Sequence, residues 1–185
     1  TTLAEAGMLL GQVDWVEAAV TCRDALWRLH QSGDTLLRVS RDGTPGHALA
    51  VLEDYAALAL AEFTLTAVTG ADPQEGLRLV DALSRLFRDA GRDTVATDLM
   101  PAAVDMTDNA TPSGWSLAAE ALLTASALTG DVSLRDRAQT VLGDAAQLAG
   151  HPQFWGHGLS VLEAWLDGPR EVAVIAAVGS PLHMM

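Results

Sequence analysis

Leu10-Gly11-Gln12-Val13-Asp14, Thr69-Gly70-Ala71-Asp72-Pro73 and Thr129-Gly130-Asp131-Val132-Ser133 are three versions of one turn, with glycines 59 and 60 residues apart. Each glycine closes a run rich in alanine and leucine. Glycine is the usual residue just past a helix end because it takes the left-handed conformation without Cβ strain. Each turn is followed within a few residues by Asp or Ser, which cap the start of a next helix. The repeating unit is therefore helix, tight turn, helix.

The first helix of each pair is apolar nearly all round, as in Ala56-Ala57-Leu58-Ala59-Leu60-Ala61 and Leu117-Ala118-Ala119, which predicts burial on most sides. The second is amphipathic. Residues 74–90 put Leu77, Val80, Leu83, Leu86 and Phe87 on one stripe, and residues 133–149 behave alike. A fourth inner helix is expected from Gln153 to Leu166, then a short buried strand from Glu171 to Val178. Units that bury a face only against their neighbours make a solenoid or closed ring. The tight turns then share one rim, and the longer connections 32–52, 92–113 and 150–153 share the other, where binding groups usually sit.

Composition removes several functions. All eleven basic residues are arginine and the formal charge is -13, so the chain has no clustered cations with which to neutralise a nucleic-acid backbone. The absence of lysine excludes Schiff-base chemistry and a phosphate-binding P-loop within these residues. A single cysteine, Cys22, allows no internal disulfide and fits a reducing, cytoplasmic setting. No stretch has the roughly twenty apolar residues of a membrane span. The start at Thr1-Thr2-Leu3-Ala4-Glu5, without signal-peptide features, and the short first helix are expected of a fragment of a larger protein.

Two places could carry chemistry. Gly33-Asp34-Thr35-Leu36-Leu37-Arg38-Val39-Ser40-Arg41-Asp42-Gly43 alternates and ends in Asp-Gly, a β-hairpin signal that leads into Leu52-Glu53-Asp54-Tyr55. Glu53 and Asp54 either stabilise a helix start or, with Tyr55, face the mouth of a ring as acid, base or hydroxyl-binding groups. The next inner helix opens with Asp108-Asn109-Ala110-Thr111-Pro112-Ser113-Gly114-Trp115-Ser116. Thr111 or Ser113 can cap it, but Gly114 in the first turn costs about 1 kcal/mol relative to alanine, which points to close approach by a backbone or a ligand. Ser113, Ser116, Glu120 and Thr124 form one polar line on this helix. Tyr55, Glu62 and Thr66 form another, and His157, Ser160 and Glu163 a third. Buried carboxylates on such lines need arginine partners or a wet cavity. His47, His151 and His157 lack metal-ligand spacing, so no metal and no cofactor is called for. Trp15, Trp27, Trp155 and Trp165 read as packing residues, while Trp115 at the open rim reads equally as packing or as a platform for a sugar.

Arg41-Asp42-Gly43, Leu52-Glu53-Asp54-Tyr55-Ala56, Asp108 through Gly114, Leu128-Thr129-Gly130-Asp131 and Gly168-Pro169-Arg170-Glu171-Val172 occur in an order that resembles the C-terminal part of the thioredoxin-domain-containing proteins of the DUF255 class, related to spermatogenesis-associated thioredoxin-like proteins. The resemblance spans essentially the whole chain and rests most on Ala110-Thr111-Pro112-Ser113-Gly114. It departs at Trp115, where the family usually has asparagine. It implies that the hairpins belong to a partial (α/α)6 toroid, so the expected fold is all-α, helical hairpins over residues 1–168, with the small β-hairpin near 34–42 and the C-terminal strand and tail over 169–185 read from the residues above. It also implies an N-terminal thioredoxin-like domain in the longer protein. By analogy with six-hairpin glycosidases and epimerases, the implied function is carbohydrate binding or carbohydrate chemistry. Glu53 and Asp54 would be catalytic, and Arg41, Asp42, Tyr55, Ser113, Trp115, Ser116 and His157 would contact a sugar-like small molecule. The alternative is a non-catalytic scaffold that positions the thioredoxin-like module.

Overall fold

A computed structural model describes residues 1–86, 107–143, 149–170, 172 and 175. In chain order its helices are α1 (Thr2–Leu10), α2 (Val13–His30), α3 (Leu52–Thr69), α4 (Gln74–Leu86), α5 (Gly114–Thr129), α6 (Val132–Leu142) and α7 (Gly156–Asp167), with a 3₁₀ turn at Pro152–Phe154 before α7. Four two-residue strands lie between α2 and α3. The chain is thus mostly helical, and no helix among the described residues is long and apolar enough to cross a membrane.

The three glycine turns are the helix ends that the sequence predicts. Gly11, Gly70 and Gly130 have φ of 65°, 72° and 74°. The second and third turns use the same bonds, with the capping aspartate one residue later in the second. Gly70 donates to Thr66 O at 2.9 Å and Gly130 to Ser126 O at 2.8 Å. The Thr69 and Thr129 hydroxyls accept from the amides of Ala71 and Asp131. Asp72 and Asp131 then cap α4 and α6 by accepting from the amides of Gln74 and Ser133, each at 2.9 Å. One local solution to the orphaned groups at helix ends is used twice, about sixty residues apart in sequence.

α1 packs on α2, α3 on α4 and α5 on α6, while α1, α3, α5 and α7 contact one another in series. Alanines make the central seam: Ala56 and Ala59 of α3 and Ala118, Ala121 and Ala125 of α5 are at most 1% exposed. Small side chains let the two backbones come close, and Phe63, Leu79, Val80, Leu83 and Leu122 complete this core. A second cluster of Ala119, Leu142 and Val161, flanked by Trp155 and Trp165, joins α5, α6 and α7.

The first hairpin departs from the expected burial. α1 buries only Ala4 and Gly7, α2 buries none of its residues, and Leu9, Leu10 and Val13 are 77%, 63% and 69% exposed. Apolar composition does not by itself bury a helix, and this pair lies at the edge of the stack with α3 on one side. α2 is instead tied down by polar contacts. Glu62 of α3, 5% exposed, accepts from Trp27 Nε1 at 2.6 Å and from Arg23 Nη1 at 3.1 Å.

The single hairpin expected near 34–42 is two. Gln31–Ser32 pairs with Thr35–Leu36, and Ser40–Arg41 pairs with Thr44–Pro45. Gly33 at φ 61° turns the chain before Asp42-Gly43 can, and Asp42 (φ 51°) and Gly43 (φ 75°) then form the tip of the second hairpin. The expected helix to residue 90 is described as far as Leu86, the second helix of the third pair ends at Leu142, and most of the 92–113 connection lies outside the described residues. So does the expected strand Glu171–Val178, apart from Val172 and Ile175, which are exposed and not in a strand.

Candidate functional site

The starts of α3, α5 and α7 meet at one end of the molecule. A Cβ added to Gly114 would lie 3.0 Å from Glu53 N and 3.4 Å from Glu53 Cα, so the glycine in the first turn of α5 serves the close approach of α3's backbone. A Cβ on Gly158 would lie 3.1 Å from Ser116 Oγ, which brings α7's first turn against that of α5.

Asp108 fastens two of these starts. Its Oδ1 accepts from Ser113 N at 2.8 Å and its Oδ2 from Gly158 N at 2.9 Å, fifty residues away. Ser113 is the cap of α5, with its Oγ accepting from Ser116 N at 3.2 Å and donating to Ser116 Oγ at 3.1 Å. Asp108, Ser113 and Ser116 are all buried. Burial pushes the Asp108 carboxyl up, but the amides of Ser113 and Gly158 and the hydroxyls of Ser116 and Ser113 outweigh it and hold the group below its ordinary value. A carboxylate at two helix N-termini also complements both dipoles. Ser113 and Ser116 are therefore brought together, as joints of this staple.

One turn further along the same line of α5, Glu120 Oε2 lies 2.9 Å from His157 Nε2 of α7. Their side chains are 39% and 29% exposed, so this pair reaches solvent where the staple does not. A carboxylate beside an imidazole can accept from and donate to a hydroxyl, and can pass a proton.

The residues around Glu53 have other partners. Asp54 Oδ2 accepts from Val51 N at 2.9 Å, reaching back over the first turn of α3. Arg38 lies 3.5 Å from Asp54 and 3.8 Å from Glu53, in pairs exposed enough to contribute at most about 1 kcal/mol each. Tyr55 is buried, and its hydroxyl accepts from Leu36 N at 3.0 Å. Asp54 also borders a cavity of about 260 Å³ between α2, the hairpin segment and α3, whose lining is chiefly Leu26, Leu36, Leu37, Ala57 and Leu58. Arg41 and Asp42 sit at a hairpin tip with side chains 94% and 92% exposed, 3.7 Å from each other. Trp115 packs against the main core, with its Nε1 buried and without a hydrogen-bond partner.

The structure thus joins Ser113 directly to Ser116, ties both to α7 through Asp108, and joins His157 to Glu120. It puts Glu53 and Asp54 with Arg38, and leaves Arg41 and Asp42 apart from both groups. Sequence reasoning noted Asp108 and Glu120 but gave neither a role, because each acts through a residue brought near by the fold. Among the described residues no group of three or more His, Cys, Asp or Glu is arranged to hold a metal ion. No family model matches the chain, and no curated protein matches it.

Proposed function

We propose that the chain is a run of hairpins from an (α/α) toroid and that the end where α3, α5 and α7 begin binds a small polyhydroxylated, sugar-like molecule. The observation that carries this reading is the Glu120–His157 pair, 2.9 Å apart and half-exposed beside a rigid, buried staple. A site that recognises hydroxyls needs adjacent donors and acceptors, and this pair supplies them. In this reading Glu120 and His157 do the proton transfer that the sequence assigns to Glu53 and Asp54, while Glu53 at the start of α3 lines the same end. The resemblance to the thioredoxin-domain proteins agrees with a hairpin toroid in a longer chain.

A scaffold that positions a thioredoxin-like module is the second reading, and it is favoured by the pairing of Arg38 with both Glu53 and Asp54. A thermal-shift screen against free sugars and sugar 6-phosphates separates the two. The binding reading expects a saturable shift that is lost in Glu120→Gln and His157→Gln and survives in Asp54→Asn. No shift with any sugar leaves the scaffold reading standing.

A further inference from the structure

At the other end of α5 and α7, about 20 Å along the helix axis from Ser113 at 1.5 Å per residue, lies a cavity of about 330 Å³. Leu123 and Ala127 of α5, Val132 of α6 and Ala164 of α7 form its apolar walls, and Arg135 is the one charged residue in its lining. The lining hydroxyls of Thr124 and Ser126 are turned to the main-chain oxygens of Glu120 and Asp131.

Among the described residues, Arg135 is held in place without a carboxylate. Its Nη2 donates to Trp165 O, and its guanidinium carbon lies 5.4 Å from the centre of the Trp165 ring. Gly168 lets it lie close, since a Cβ there would be 3.2 Å from Arg135 Nη1. Among the described residues, Arg23, Arg38, Arg41, Arg78, Arg85 and Arg170 have carboxylate partners within 4.0 Å, whereas Arg135, like Arg28 and Arg137, has none; of these three, Arg135 is the one that lines this cavity. A planar guanidinium held over the Trp165 ring at the edge of an apolar hollow, with N–H groups besides the one given to Trp165 O, is matched by a carboxylate carried on an apolar body.

We propose that this cavity is a binding site for a small amphiphilic carboxylate, with its apolar part against Leu123, Ala127 and Ala164 and its carboxylate on Arg135. The proposal is independent of the sugar reading. The test is calorimetric titration of the 185-residue chain with hexanoate and benzoate, using hexanol and benzyl alcohol as uncharged counterparts. Each acid is expected to bind about tenfold or more tightly than its alcohol, the size of one charge-assisted contact. Arg135→Gln should remove that preference and Arg135→Lys should keep part of it. Ala127→Phe, which fills the hollow but leaves the Arg135–Trp165 contact intact, should abolish binding of acid and alcohol alike. Circular dichroism checks that each variant is folded. Failure of both acids to bind the folded wild-type chain at millimolar concentration, or unchanged hexanoate binding in folded Arg135→Gln, overturns the proposal.

Discussion

Asp108→Ala is expected to lower the unfolding free energy by about 3 kcal/mol, enough to drop the melting temperature by roughly 10 °C. One carboxylate accepts from the cap amide of α5 and a first-turn amide of α7, at 2.8 and 2.9 Å, and both donors are buried behind it. A single cap replaced by alanine costs about 1 kcal/mol. Here two helix starts lose their acceptor together, and a bond to a charged acceptor is worth about 1.5–3 kcal/mol. Asp108→Asn keeps one oxygen but turns an NH₂ toward a donor, so it should cost nearly as much at neutral pH. Because the folded-state pKa is depressed, the stabilisation is present above the ordinary aspartate value of about 3.9. It disappears as pH falls through the lower folded value. Urea unfolding followed by circular dichroism should therefore show wild type and Asp108→Asn far apart at pH 7 and converging below about pH 4. A constant gap across that range would mean that the charge on Asp108 is not what holds the staple.

Glu62→Ala has the second largest expected effect, about 2–4 kcal/mol, and it should be local. Removing the carboxylate leaves Trp27 Nε1 without its acceptor at 2.6 Å and Arg23, with a side chain 26% exposed, without its buried partner at 3.1 Å. Arg23 keeps Asp24 at 2.8 Å, an exposed pair that cannot replace a contact to another helix. α2 buries no residue fully, so beside its packing on α1 and the half-buried Trp27 the Glu62 bonds are what fasten it to α3. Amide hydrogen exchange should speed up through α2 while α3 and α5, joined by their alanine seam, stay protected. Glu62→Gln keeps an acceptor for Trp27 and should lose about half as much. Uniform loss of protection across all helices would contradict the idea that this pair fastens α2.

Much of the fold is legible because its signals are local. The left-handed glycines, and in the second and third turns the threonines before them and the capping aspartates after them, act within one turn of chain, so their sixty-residue spacing announces the hairpins directly, although α2 starts at Gln12 without a side-chain cap. Gly114 is an intermediate case. Helix propensity makes it anomalous and predicts a close neighbour, but only packing identifies that neighbour as the backbone of Glu53. The polar groups were not legible to the same degree, because their roles are set by partners far away in sequence. Asp108 meets Gly158, Glu120 meets His157, and Glu62 meets Trp27 and Arg23. Arg38 stands in the same quoted stretch as Arg41, yet it is Arg38 that reaches Glu53 and Asp54 while Arg41 points away on a hairpin tip. A carboxylate's neighbours decide whether it is a tether or a working group, and spacing along one helix does not name neighbours on the next.

In the proposed binding mode, hydroxyl-bearing ligands meet the protein at Glu120 and His157. The most direct measurement follows the imidazole ring signals by ¹H–¹³C NMR, with His157 assigned through His157→Gln, during titration with glucose, mannose, N-acetylglucosamine and their 6-phosphates. A saturable shift of the His157 signals with at least one of these sugars, while those of exposed His47 on the hairpin segment stay fixed, is the predicted result. His157 signals that do not move with any of them would contradict it.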